Sequence, residues 1–469
     1  MANMQTYSIQ KLGQQRHSRR LWLEGRRLQK AGFEPNGRYD IEIDREERTL
    51  TLRANRTGGR IVTRKERDGR VFPIIDISSG AALSPFDGLE RVLVVYEDGA
   101  LVVTPIATDE RIQERLDRMA ERLDEGRPLR VGSLSTGVGV LSLAVHEGLE
   151  EAGVASEAAF VCDLDGGYLA QCERSNPMFG EGTIVISAPL QEIAFDRRRM
   201  ERLPKIEILE AGIPCTAHSN AGRAKKGNDI PEDDPMVGHL AVGFLAIVAA
   251  LNPAVVLVEN VPGYMTSASF SIIRNQLAEW GYDVHADVLR GSEFNTLEHR
   301  DRMALVAVTR GMQYDVDAVP RPVRRELRLG DVLDVVADDH PSWSDMRYLK
   351  EKEERDMADG KGFQMQVFGP ESTKVSTIGR GYAKVRSTEP KLRHPTDPSL
   401  LRQLNPAEHA RCKAIPERLV DGMSATRAHE VLGQSVLMPP FRAVGSAIGR
   451  SILAWKNDKK GAEEFRLVA

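Results

Sequence analysis

Between residues 129 and 258 short apolar runs alternate with helical patterns, and no other feature restricts the possible folds of this chain so strongly. Leu129 to Leu134 reads as a strand, 140–151 as a helix, 158–162 as a strand and 167–174 as a helix. Ile206 to Leu209, 238–251 and Val255 to Val258 continue the alternation as strand, helix and strand. Such an order predicts an α/β domain whose parallel sheet is covered on both faces. The turn Ser135-Thr136-Gly137-Val138-Gly139 follows the first strand and opens the first helix, where a glycine loop brings backbone close to a nucleotide-like ligand. The second strand runs into Asp163, an acid placed to accept hydrogen bonds from ribose hydroxyls. Ser135, Gly137, Gly139 and Asp163 together indicate an adenosine-containing cofactor. They do not distinguish a dinucleotide from S-adenosylmethionine.

Reactive groups cluster at the ends of the later strands. Gly212-Ile213-Pro214-Cys215 leaves the strand at 206–209, and the polar, basic and glycine-bearing stretch 216–227 follows. That stretch suits closure over a phosphate backbone, and its positive potential favours a thiolate at Cys215. Glu259 ends the apolar strand Val255 to Val258, where desolvation raises a carboxyl pKa and keeps a proton available. Arg300 and Arg302 precede the strand Ala304 to Val308, a spacing that predicts both on one side. A thiolate and a carboxylic acid are what carbon 5 of cytosine needs before it can attack a methyl donor: a nucleophile on carbon 6 and an acid at nitrogen 3. The four cysteines, Cys162, Cys172, Cys215 and Cys412, show no metal-ligand spacing and no disulfide framework, so free thiols and no metal are expected.

The order of these motifs resembles the DNA cytosine-5 methyltransferase family over residues 129–456. Gly137 and Gly139 match its first cofactor motif, Asp163 its ribose ligand, Pro214-Cys215 with Ser219 its nucleophile motif, and Glu259-Asn260-Val261 its Glu-Asn-Val. Arg300 and Arg302 match a paired-arginine element, Arg402 to Arg411 the element after the target recognition domain, and Gly433-Gln434-Ser435-Val436 the last motif. The resemblance implies a Rossmann-like methyltransferase core with a small inserted recognition domain. It also implies S-adenosylmethionine as cofactor, bound by Ser135, Gly137, Gly139, Asp163, Gln434 and Ser435, and double-stranded DNA as partner, with the cytosine flipped out, in a restriction-modification setting. Cys215 would be the nucleophile, Glu259 the acid, and Arg300 with Arg302 the base-orienting groups. Ser219 and Arg223 in the cysteine loop, and Lys374, Arg380, Lys384 and Arg386 in the insert, would face DNA. Residues 361–393 carry 7 Lys and Arg against 2 Asp and Glu. Ser135, Val140, Pro189, Thr216, His218, Glu298 and Gln434 depart from the family pattern. Two alternatives therefore stay open: a related transferase acting on RNA or moving another group, and a DNA-binding regulatory protein with a decayed catalytic core.

The expected organisation is a duplicated β-hairpin domain at 1–105, a helical linker at 106–127, the catalytic domain at 128–310 and 401–469, and a recognition domain at 311–400. Within the first domain, strand, helical turn and hairpin occur twice, the second hairpin around Asp98-Gly99. This order resembles the swapped-hairpin barrels of the AbrB and SymE families. Residues 1–70 hold 17 Lys and Arg against 9 Asp and Glu, although the whole chain carries −4. A basic end suits a polyanion, and it equally suits plain solvation of a small β domain. The first twenty residues lack an apolar secretion segment and no run approaches a membrane span, so a cytoplasmic location is expected.

Overall fold

The computed structural model describes residues 5–15, 18–214, 230–361 and 364–468. The chain divides into two compact units, Met1–Glu114 and Arg115–Ala469.

The first unit contains β1 (Thr6–Lys11), β2 (Gly13–Gln15), β3 (Ser18–Glu24), α1 (Arg26–Lys30), β4 (Arg38–Asp44), β5 (Thr49–Ala54), β6 (Arg60–Ile61), β7 (Thr63–Arg67), β8 (Arg70–Ile77), α2 (Gly80–Leu83), β9 (Arg91–Glu97) and β10 (Ala100–Pro105). One sheet has the order β1-β9-β10-β5-β4-β6 and a second the order β2-β3-β8-β7. The two strand–helix–hairpin stretches pair with each other. Leu21 faces Ile77 and Leu23 faces Ile75, while Leu50 faces Val103 and Leu52 faces Leu101. All eight side chains are buried in one core, which is why the apolar residues alternate along these strands. Asp98-Gly99 makes the β9–β10 turn, as its sequence predicts.

α3 (Ala107–Asp124) spans the boundary between the units, and the second then runs β11 (Leu129–Leu134), α4 (Val140–Glu151), β12 (Ser156–Asp163), α5 (Gly166–Ser175), β13 (Ile184–Ser187), α6 (Leu190–Ala194), α7 (Arg197–Met200) and β14 (Ile208–Gly212). After the undescribed stretch come α8 (Leu240–Leu251), β15 (Val255–Asn260), α9 (Ala268–Glu279), β16 (Tyr282–Leu289) and β17 (Arg302–Thr309). The sheet order is β13-β12-β11-β14-β15-β17-β16, a Rossmann-like arrangement with apolar clusters on both faces. The strands read between residues 129 and 258 are parallel, as expected. β17 lies between β15 and β16 and is antiparallel to both. The connection 290–301 contains no α-helix, and so short a link cannot make the crossover that a parallel strand requires.

Residues 311–400 hold α10 (Arg347–Ala358), β18 (Val367–Phe368) and β19 (Lys391–Arg393), with β20 (Leu401–Arg402) pairing to β19. The irregular pattern there gives no sign of α10, because only Leu349 of that helix is fully buried and its register is carried by charges such as the Lys352–Asp356 pair. The chain closes with α11 (Pro406–Cys412), α12 (Ala425–Gln434) and the long α13 (Met438–Val468). α13 lies against α4 at backbone distance. A Cβ on Gly148 would meet the Arg442 carbonyl oxygen at 2.1 Å, and one on Gly445 would meet that of Val145 at 2.7 Å.

Just before β14, the central strand of this sheet, Glu207 is wholly buried among arginines. Arg118, Arg122 and Arg130 approach its carboxylate at 3.2, 3.5 and 3.3 Å, and Glu207 also accepts the Arg130 amide at 2.8 Å. Removing one partner of a buried ion pair strands the other charges at a cost of about 3–5 kcal/mol. Glu207→Ala is therefore expected to lower stability by about that amount, read as a fall in the urea midpoint. An unchanged midpoint would show that the arginines recover their solvation without it.

Candidate active site

The loop between β11 and α4 is set by three residues in the left-handed region: Ser135 at φ 56°, Gly137 at 59° and Gly139 at 76°. Gly139 is also a close approach, since a Cβ there would stand 2.5 Å from the Asn176 side-chain nitrogen and 2.7 Å from the Cys172 sulfur. Asn176 holds the loop by donating to the Val138 and Gly139 carbonyls at 3.1 and 3.0 Å. A Cβ on Gly137, in contrast, would meet nothing within 4 Å, so backbone is open on that side. Asp163 ends β12 with one carboxylate oxygen on the Gly137 amide at 2.8 Å and the other on the Asp165 amide at 2.9 Å. Beside it Leu164 is 69% exposed, an apolar side chain at this edge that the sequence reading did not single out.

Gln434 and Ser435 are carried to the same region from the far end of the chain. The Gln434 amide donates to the Tyr168 hydroxyl of α5 at 3.2 Å, and Ser435 donates to the Val431 carbonyl. Arg427 of α12 binds Asp165 at 2.8 Å with its guanidinium 4.4 Å above the Tyr168 ring. These contacts fasten α12 to α5.

The acid lies one strand further on. Glu259 pairs in register with Gly212, and a Cβ on Gly212 would stand 3.6 Å from the Glu259 carboxylate and 3.7 Å from the Ser135 carbonyl oxygen. The side-chain amide of Asn260 donates to the Ile213 carbonyl at 3.1 Å. The segment entering Pro214 is thus tied beside Glu259. Cys215, Ser219 and Arg223 lie outside the described residues. Burial pushes the Glu259 carboxyl above its ordinary range, with Arg302 opposing it from 2.9 Å. Burial also pushes the Cys162 and Cys172 thiols up to about 12, and Cys412 upward.

The two arginines have different partners. Arg302 opens β17 and reaches Glu259. Arg300 precedes the strand, where alternation does not govern direction, and is 6% exposed with bonds to Glu298 and to the Gly433 carbonyl. Glu298 in turn pairs with the fully buried Lys413 at 3.0 Å and accepts the Ile378 amide at 3.2 Å. Lys413 also donates to the Ser435 carbonyl, and burial with Arg300 nearby pushes it down to about 7. One buried cluster so joins the entry of β17, the 375–378 segment and the α12–α13 junction. Glu298 and Lys413 stand 115 positions apart, and nothing local in either segment signals the pair.

Sequence reading also missed Glu210. It is 1% exposed on β14, faces Ser133 in register and shares a sheet face with Gly212 and Glu259. Its buried Oε1 makes no hydrogen bond among the described residues, and burial, with Glu259 adding to it, pushes the carboxyl up to about 7. Of the basic residues in the insert, Lys374, Lys384 and Arg386 are exposed, and Arg380 is exposed but ion-paired with Glu430 of α12. The Arg386 guanidinium lies over Gly381.

A mixed sheet with one inserted antiparallel strand, a glycine loop after its first strand and an acid–arginine pair at the next strand ends defines a methyltransferase. The chain belongs to the C-5 cytosine-specific DNA methylase family, whose model matches residues 134–450. It is similar to the type II methyltransferases M1.ScrFI of Lactococcus lactis subsp. cremoris, at 29% identity over 252 residues, and M.NlaX of Neisseria lactamica, at 30% over 265. These alignments cover 52% and 55% of this chain, and 62% and 80% of the relatives. A third, M.SsoII of Shigella sonnei, is 29% identical with 52% of this chain and 64% of its own length covered, so two of the three are matched over less than two thirds of their length. The fold is also that of Schizosaccharomyces pombe Dnmt2 methyltransferase (TM-score 0.54, 19% identity, covering 68% of this chain and 97% of that one) and of Entamoeba histolytica EhMeth (0.53, 17%, 71% and 99%). No helix among the described residues is long and apolar enough to cross a membrane.

Proposed function

We propose that the chain methylates carbon 5 of cytosine in double-stranded DNA, with the base turned out of the helix towards Glu259. The observation that carries this reading is the convergence of Gly212, the residue that leads into Ile213-Pro214-Cys215, on the half-buried Glu259. Cys215 forms a bond from sulfur to carbon 6, and Glu259 engages nitrogen 3 so that the ring's electron pair moves toward carbon 5. Arg302 orients Glu259 and the base, while Arg300, held by Glu298 and Gly433, positions the entry of β17. After transfer, loss of the carbon 5 proton returns its electron pair to the ring and expels the Cys215 thiolate.

S-adenosylmethionine fits the residues present and, when bound, supplies an electrophilic methyl group. The open backbone at Gly137, the amides opening α4, and Gln434 and Ser435 brought beside α5 would hold it. Asp163 is committed to the Gly137 and Asp165 amides, so its part is to shape the loop as well as to meet a ribose. Leu164 would offer the adenine an apolar surface that Ser135 lacks. Lys374, Lys384 and Arg386 are the groups proposed to meet DNA, with Ser219 and Arg223 on the cysteine loop. Arg380 serves them indirectly by fixing the insert to α12.

The test is covalent capture. Full-length protein incubated with cofactor and a duplex bearing 5-fluorocytosine is expected to give a denaturation-resistant protein–DNA adduct, because fluorine at carbon 5 blocks the last elimination. Absence of an adduct on duplexes covering diverse cytosine contexts overturns the reading, and an adduct on RNA alone moves the substrate to RNA.

A further inference from the structure

β7 and β8 form a hairpin in which every residue from Thr63 to Val71 is exposed. Directly opposed residues of an antiparallel pair share a face. Lys65 opposes Phe72 and Arg67 opposes Arg70, and the face continues across β8 to Glu24, Trp22 and Arg20 of β3. Its two acids are answered inside the sheet: Asp76 binds Arg20 at 2.8 Å, and Glu24 lies 3.6 Å from Lys65. Arg20 stacks over Trp22 at 4.2 Å.

Arg67 and Arg70 are left facing one another at the tip. Neither side chain makes an ion pair or hydrogen bond among the described residues. Like charges directly opposed destabilise a hairpin, so this pair has a cost that folding alone does not repay. Asp68 and Gly69, which make the turn, and Glu66, on the other face opposite Val71, do not lie between them. The DNA major groove admits a two-stranded ribbon, and long cationic side chains at such a tip can reach the phosphates that border it.

We propose that the β7–β8 hairpin is a second DNA-binding site, sequence-independent and separate from the methylation chemistry, in which Lys65, Arg67 and Arg70 contact phosphates of a duplex. Each contact releases counterions, and the site therefore weakens steeply with salt.

The test uses full-length protein and a fluorescent duplex lacking cytosine, with affinity measured across a salt series. Arg67→Ala combined with Arg70→Ala is expected to weaken binding about tenfold or more at low salt and to reduce the log–log salt slope by about 2. Arg67→Glu should weaken binding as strongly while leaving the melting temperature unchanged or higher, since it removes the opposed like charges. Adduct formation on a saturating 5-fluorocytosine duplex should persist in both variants, which separates failure of this site from failure of the methylation reading. Unchanged affinity and slope overturn the proposal. So does unchanged affinity with an altered sedimentation mass, which assigns the hairpin to association between copies.

Discussion

Replacing Cys215 with serine is expected to abolish methylation while leaving duplex binding nearly intact. The substitution changes one atom and little surface, yet a hydroxyl at neutral pH offers almost no anion where a thiolate is needed. No described cysteine can take over: Cys162 and Cys172 are pushed up to about 12 and Cys412 is also buried and raised. Asn260 ties the Ile213 carbonyl, and Gly212 lies against Glu259. Single-turnover transfer of a labelled methyl group measures the effect. Turnover above about a hundredth of the wild-type rate, less than 3 kcal/mol of barrier, would reject Cys215 as the attacking group.

Glu259→Gln is expected to slow the chemical step by roughly two to four orders of magnitude, the span associated with a lost general acid. Glutamine keeps the hydrogen-bonding shape but cannot hand over a proton at nitrogen 3. The pH dependence has a definite sign. Burial raises the Glu259 pKa, so the protonated, active form survives above the usual carboxylate range and the rate falls as pH rises through that raised value. Arg302 at 2.9 Å limits how far the shift goes. In the glutamine variant that alkaline fall should vanish from the residual rate. A near-normal rate with the same fall would place the acid elsewhere, and the buried Glu210 would be the next group to test.

Much of the fold is legible in the sequence because it is written locally. α4 follows a glycine loop and begins and ends where its apolar pattern does, and Asp98-Gly99 marks its own turn. Strand direction is different. Periodicity reports which faces are buried and is silent on parallel or antiparallel, so the strand read at Ala304 to Val308 carried no sign that β17 runs against its neighbours. The strand expected at Ile206 to Leu209 begins at Ile208, since Glu207 is withdrawn into its arginine cluster and Ile206 serves the core. For the site, Glu259 and Arg302 could be read because strand ends collect reactive groups. Glu298–Lys413 could not, as its two halves make sense only when the chain has folded back upon itself. Glu210 sits in an apolar run, and only its depth makes it unusual.

The glycine-to-backbone contact of α13 with α4 has a consequence during synthesis. While the ribosome is still making residues after 437, Val145, Leu149 and their neighbours on α4 lack the partner that covers them in the finished core. A nascent chain can contain the glycine loop, Cys215 and Glu259 and still lack a closed domain. Competence should therefore arise only after α13 has emerged, and truncation before α13 should leave an incompletely folded chain rather than a slower enzyme.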